Sequence, residues 1–366
     1  MTGAPLEIFL VVAPGLAHFL GEEARAQGFK VTSIEAEGVS LAGDWPEVWR
    51  ANLVLRGATR VLVRIASFRA LHLAQLDKRA RKLPWTEWLR PDVPVRVEAT
   101  CRKSRIYHAK AAAQRVERAL EGAGQMLDPK AEIVVKLRIE DDLATFSLDS
   151  SGTSLHKRGL KEEVNKAPMR ETLAALFLRA AGYDGRGPVY DPMCGSGTFV
   201  LEAAEIALGL QAGRARDFAF QRFASFDAAA FEAMRQAGGT GRDARFFGSD
   251  RDAGAVRMSE ANANRSGLSD VTQFDVRAIG DVTPPTQTPG LVIANPPYGA
   301  RIGNKGALHG LYGTFGKVMQ DRFGGWKIAM ITTEAGLAKS TGLPWAPPGP
   351  IVDHGGTKVR LWQAQL

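Results

Sequence analysis

The sequence predicts an α/β fold: a doubly wound, mostly parallel sheet in residues 154–366, preceded by a smaller α+β region. Three observations carry that prediction. Beyond residue 153, strand-like apolar runs alternate with helical periodicities in strict order. A glycine loop, Gly195-Ser196-Gly197, joins the first of those strands to the helix after it. Before residue 153 the pattern is instead one of alternating strands, tight turns and short amphipathic helices.

The N-terminal elements follow in order. Residues 6–13 are a β-type apolar run, 16–27 a helical pattern closed by Gly28, and 30–36 a second strand. Asp44 is placed to cap a helix with Pro46 in its first turn. The run "ATRVLVRIASF" alternates like a half-buried strand. Positive charge then gathers at Lys78, Arg79, Arg81, Lys82, Arg90 and Arg96, ahead of a strand at 95–100, a basic turn and a helix at 107–120. Two more alternating strands flank the turn Glu140-Asp141-Asp142, and the polar stretch 149–153 marks an expected boundary. The divisions are therefore 1–66, 67–153 and 154–366, in keeping with a chain of 366 residues.

In the last division strands fall at 188–191, 245–250, 271–276, 290–295 and 327–333, with helices at 198–210, 252–266 and 308–323 between them. The run "TKVRLWQAQL" supplies a final strand. Ligands of such sheets bind outside the carboxyl ends of the strands.

Composition narrows the function classes. An apolar fraction of 45% and a charged fraction of 23% belong to a soluble globular chain, and a net charge of +8 favours a polyanionic partner. Two distant cysteines, Cys101 and Cys194, give neither a disulfide framework nor a zinc site, so no metal and a reducing, cytoplasmic setting are expected. The apolar run near the start follows Glu7 and is broken by Pro14, unlike a signal peptide. No stretch approaches the roughly 20 apolar residues of a membrane span, so no membrane partner is expected.

The chemistry begins at "VYDPMCGSGTFVLEAA". A dinucleotide fingerprint needs a third glycine and room for pyrophosphate, whereas Asp191 stands where it would repel phosphate. A P-loop needs a Gly-Lys-Ser/Thr that is missing here. An acid beside a glycine loop suits a ligand that carries a cation. Asp250 ends the next strand, where a carboxylate can hold a ribose diol, and Asp275 the one after, suited to an adenine amino group. Three acids at successive strand ends are expected to converge on one crevice.

In this order and spacing, "DPMCGSGT" and "NPPYG" resemble the class I S-adenosylmethionine-dependent methyltransferases, and within them the subgroup that methylates exocyclic amines. The likeness covers residues 154–366. It includes "LHKRGLKEEVNKAPMRETLAA" ahead of the glycine loop, and departs at Leu160, where an aromatic residue is common. It implies S-adenosylmethionine as cofactor, held by Thr172, Asp191, Pro192, Cys194, Gly195, Ser196, Gly197, Thr198, Asp250, Asp275 and Asn295. Catalysis then falls to Asn295, Pro296, Pro297 and Tyr298. The Asn295 side-chain oxygen and the Pro296 carbonyl would accept the two hydrogens of the amine and turn its lone pair outward, while the Tyr298 ring stacks on the base. The prolines stiffen that arrangement. Cys194, before a glycine in the cofactor loop, reads as a small packing residue rather than a nucleophile.

Three substrate classes share this acceptor motif: adenine N6 in DNA, guanine N2 in RNA and the glutamine side chain of proteins. The segment "VEATCRKSRIYHAKAAAQRVERAL" resembles the THUMP domain of RNA-modifying enzymes, preceded by its small ferredoxin-like companion. Its basic turn gathers Arg102, Lys103, Arg105, His108 and Lys110 around Tyr107, a cluster suited to phosphates and one stacked base. Together the halves resemble the bacterial large-subunit ribosomal RNA guanine-N2 methyltransferases, and the related transfer RNA enzymes. That implies an RNA partner, ribosomal first and transfer RNA second, and leaves oligomeric state open. Some relatives continue into a second methyltransferase domain; with the chain ending at Leu366, one active site is expected. The rival expectations are a protein glutamine methyltransferase and a non-catalytic RNA-binding factor.

Overall fold

Period-two alternation of apolar residues in the first half is realised as a single seven-stranded sheet. The computed structural model describes residues 5–162, 169–239, 245–298 and 305–366. The sheet is built from β1 (Leu6–Val11), β2 (Lys30–Glu35), β3 (Gly38–Gly43), β4 (Arg60–Arg69), β5 (Val95–Arg102), β6 (Ile133–Glu140) and β7 (Leu143–Asp149), in the order β2-β3-β1-β4-β7-β6-β5. All neighbours are antiparallel except β5 and β6. The helices here are α1 (Ala17–Ala26), α2 (Trp45–Val54), α3 (Leu73–Ala80), α4 (Trp85–Trp88) and α5 (Ala109–Gly122). Asp44 caps α2 as its position predicts, accepting the Glu47 N–H at 3.1 Å.

Two features differ from the sequence divisions. First, β4 runs across the division at 66/67 and pairs with β1 on one side and β7 on the other, so regions 1–66 and 67–153 share one sheet. Second, the polar stretch 149–153 is no exposed linker. Asp149, Ser150 and Ser151 are buried, satisfied by Asn52, by the Ser151 and Gly152 N–H groups and by the Arg60 guanidinium, which is 2.5 Å from Asp149.

The chain divides by packing into two units. One holds residues 1–12, 21–155 and 216–237; the other holds 13–20, 156–215 and 238–366. Residues 216–237, with the helix α8 (Ala228–Gln236), thus pack with the first unit although they lie within the third sequence division. Their aromatic rings explain this: Phe220 stacks on Trp49 at 6.2 Å, Phe226 meets Trp49 edge-on at 5.7 Å, and Phe223 meets Trp45 at 5.9 Å.

In the second unit the helices are α6 (Glu171–Ala180), α7 (Thr198–Ala207), α9 (Ala253–Arg265), α10 (Lys305–Arg322) and α11 (Ala335–Ser340). Its strands are β8 (Val189–Asp191), β9 (Phe246–Asp250), β10 (Thr272–Val276), β11 (Leu291–Ala294), β12 (Lys327–Thr332), β13 (Val352–His354) and β14 (Thr357–Gln365), in the order β10-β9-β8-β11-β12-β14-β13. The first five run parallel, and β14 pairs antiparallel with both β12 and β13. From β8 the chain winds outward one way to β9 and β10, then returns to wind the other way through β11 and β12. The order therefore reverses between β8 and β11, which opens a crevice at their carboxyl ends. Every residue of β11 is buried, and beneath it Phe315, Met319, Phe323 and Trp326 form the apolar floor.

Candidate active site

Asp191 is the last residue of β8, and Asn295 follows the last residue of the neighbouring β11, so the two flank the crevice. Both line one cavity of about 1240 Å³. The loop after β8 bends through Gly195 (φ +55°), where a Cβ would meet nothing within 4 Å, and Gly197 (φ +82°), which starts α7 in the left-handed region. An open backbone at Gly195 leaves the loop bare to a ligand.

Asp191 is 2% exposed and accepts the Met193 N–H at 3.0 Å. Burial pushes its carboxyl up to about 8; the Met193 N–H pulls it back and the neighbouring Asp250 charge raises it. Asp250 accepts the Gly195 N–H at 3.1 Å through one oxygen and the Asp252 N–H at 3.0 Å through the other. Each oxygen keeps a further lone pair. Pro192, Cys194, Ser196 and Thr198 also line the cavity. Burial drives the Cys194 thiol well up, and its Sγ lies 3.7 Å from Ser259 Oγ, the surroundings of an inert packing residue.

Two expected positions lie elsewhere. Asp275 does not line the cavity: its half-exposed carboxylate meets Arg277 at 3.5 Å and Gln273 at 3.3 Å, and Arg277 lines the cavity instead. The expected convergence of three acids is thus a convergence of two. Thr172 is buried in the first turn of α6 outside the lining, its hydroxyl without a hydrogen bond among the described residues. Residues 163–168 of the preceding motif, and Gly299, lie outside the described residues.

On the acceptor side, the Asn295 Oδ1 is buried and accepts no hydrogen bond among the described residues. Pro296 is buried, and the Pro297 carbonyl accepts from the Tyr312 hydroxyl at 3.4 Å. Burial lifts that phenol to about 12, so it stays a neutral O–H, also 3.1 Å from Thr332 Oγ1. The Tyr298 hydroxyl meets His354 Nδ1 at 3.0 Å.

Sequence reasoning missed several residues of the lining. Lys161 bonds Thr198 Oγ1 at 2.6 Å and Glu171 at 3.2 Å, and buried Arg158 pairs with buried Glu202 at 3.2 Å beside them. Their signal was present in the basic run "HKRGLK". His354 reaches the cavity from the last hairpin, where only the Gly355-Gly356 turn pointed to any structure.

In the first unit the basic turn is a defined structure. Asp141 (φ +49°) and Asp142 (φ +63°) make a primed turn between β6 and β7. From it the Asp142 carboxylate accepts the Ser104 hydroxyl and the Arg105 N–H, each at 2.8 Å, which holds Asp142 below the usual carboxylate range. Ile106 is buried as the anchor, while Arg102, Lys103, Arg105, His108 and Lys110 are exposed around Tyr107, itself 79% exposed.

Residues 158–343 match the family model described as "RMKL-like, methyltransferase domain", and residues 7–62 match the RlmL ferredoxin-like domain. A Synechocystis protein named as a candidate RNA methyltransferase is 32% identical over 98% of this chain and 96% of its own length. The chain belongs to the RMKL-like methyltransferase family. The ribosomal RNA large subunit methyltransferase K/L of Syntrophotalea carbinolica is 34% identical over 93% of this chain, which spans about half, 51%, of that relative. A solved structure, SMU.472, a candidate methyltransferase complexed with S-adenosylhomocysteine, superposes with a TM-score of 0.90 at 25% identity, over 100% of this chain and 99% of its own.

The fold is therefore that of a class I methyltransferase, and S-adenosylmethionine is the cofactor. The RMKL-like site fits it on three counts: a buried acid at Asp191 whose ionised form a positively charged ligand would stabilise, a loop left open at Gly195, and a cavity of about 1240 Å³ lined by both. When bound, the cofactor supplies an electrophilic methyl group on a sulfonium sulfur. Asp191, Asp250 and the 192–198 loop are the residues that would hold it.

Proposed function

We propose that this RMKL-like methyltransferase acts on the exocyclic N2 of a guanine in RNA, with large-subunit ribosomal RNA as substrate. The observation that carries the proposal is the buried Oδ1 of Asn295, at the strand end beside Asp191, which accepts no hydrogen bond among the described residues. A buried acceptor without a donor is costly, and an amine hydrogen of the substrate is the donor that would satisfy it. Pro296, Pro297 and Tyr298 complete the acceptor side by stiffening the backbone and offering a stacking face. Asp191, Asp250 and the 192–198 loop make up the cofactor side.

RNA follows from the first unit. Five exposed cationic or imidazole side chains surround an exposed tyrosine on one pinned turn, which suits phosphates and an unstacked base. The names of the curated relatives point to the same substrate class. A cytoplasmic enzyme acting on ribosomal RNA fits this reading.

The test is direct. Incubation with labelled cofactor and unmodified ribosomal RNA, followed by digestion to nucleosides, is expected to give N2-methylguanosine. Label at adenine, or in protein alone, would sink the proposal; preference for transfer RNA over ribosomal RNA would move the substrate and keep the chemistry.

A further inference from the structure

We propose that His354 is a positioning residue that locks the Tyr298 ring in its base-stacking orientation, so that the last hairpin of the fold completes the acceptor pocket. The proposal rests on the reading of Tyr298 as the stacking ring. The topology brings His354 there. Strand β14 lies antiparallel to β12 with Arg360 opposite Thr332, the last residue of β12, so 357–359 overhang the carboxyl end of the parallel strands. The hairpin tip is thereby carried over the crevice, and His354, Gly355 and Thr357 line the same cavity as Asn295 and Tyr298.

The tip is stiff. His354 pairs with Thr357 across a two-residue turn, Gly355 (φ +61°) and Gly356 (φ +83°), whose primed geometry suits the twist of a hairpin. The Asp353 carboxylate accepts the Gly356 N–H at 3.0 Å and closes the turn from the side. From this platform Nδ1 of His354 meets the Tyr298 hydroxyl at 3.0 Å, fifty-six residues away in sequence. Prolines 296 and 297 stiffen the backbone before Tyr298 but do not fix the rotation of its ring about the side-chain bonds. The His354 anchor acts on the far end of the ring, which neither proline reaches. Whichever of the two groups donates, the ring is held at both ends.

The experiment is a double-mutant cycle on the full chain, with rates followed as methyl transferred to RNA and cofactor affinity measured in parallel. Tyr298→Phe and His354→Ala are each expected to lower kcat/KM about tenfold. The double variant should be no worse than either single one, since both remove the same bond. His354→Asn, whose amide oxygen can replace Nδ1, should stay within about threefold of the starting enzyme. A double variant about a hundredfold down, or a His354→Ala enzyme within twofold of the original, would overturn the proposal. If His354→Ala loses cofactor binding, the Asn variant decides, and a tenfold loss there counts against it. Label at adenine would defeat the guanine reading and leave the coupling intact. A readout independent of turnover is carbon-13 NMR of the phenol carbons of the five tyrosines. The resonance absent in Tyr298→Phe should shift in His354→Ala, and no shift means no anchor, whatever the substrate.

Discussion

Each half of the molecule is organised on a seven-stranded sheet, yet the two sheets present chemistry in opposite ways. The first is antiparallel at every junction but one and shows its charge on a surface turn, where the Arg102 and Arg105 side chains are more than half exposed. The second is parallel for five strands and gathers its acids at one switch point, where Asp191 is driven almost to neutrality by burial. A turn after an edge strand keeps solvent, so its charges act as phosphate ligands that salt screens. A crevice between parallel strands sheds solvent, so one carboxylate or amide there acts through its protonation or its missing partner. Variants of the two halves should therefore fail in different observables.

The largest effect is expected from Asn295→Ala: kcat should fall about a hundredfold to a thousandfold, with cofactor and RNA affinities within about twofold of the original by calorimetry and filter binding. A loss confined to RNA affinity would erase the contrast between the halves. Next is Asp191. Burial pushes its carboxyl up to about 8, and a cofactor carrying positive charge stabilises the ionised form. Affinity should thus strengthen as pH rises from 6 to 8 and then level. Asp191→Asn should bind about tenfold more weakly at pH 8 and show a flat profile in isothermal titration. The same shift acts on stability with a definite sign. The folded state holds this proton more tightly than the unfolded chain, so ligand-free stability should fall as pH rises from about 4 towards 8, and Asp191→Asn should flatten the Tm profile.

On the surface side, Lys103→Glu combined with Lys110→Glu should weaken RNA binding about tenfold at 0.1 M salt. It should also make the slope of affinity against salt shallower by about one or two, with kcat at saturating RNA unchanged. The smallest effect belongs to Asp142→Ala, which frees the turn from its anchor without removing a cation. A twofold to fivefold loss of RNA affinity is expected, and no change in cofactor binding.

Much of the second sheet was legible because each of its parallel strands is a short apolar run bounded by turn residues, and because Asp191, the glycine loop and Asn295 all sit at strand ends. Asp275 lies outside the cavity lining because a place near the end of a strand does not say which way a side chain faces; here Arg277 stands beside the cavity. His354 was invisible for a related reason. It reaches the site through the return of an antiparallel hairpin, a long-range pairing that no local pattern records. The polar run 149–153 read as an exposed boundary because composition cannot show that buried serines and an aspartate satisfy one another. The aromatic run "DFAFQRFASF" announced burial without naming its partner.

That run also sets a timetable. The strands of the first sheet are complete at Asp149, but the rings that cover Trp45 and Trp49 come from residues 216–237. During synthesis at about 5–20 residues per second, roughly 4–17 seconds separate the emergence of the sheet from that of its cover. For that interval the nascent chain carries two uncovered tryptophans, an opening for a chaperone or for a neighbouring chain on the same message.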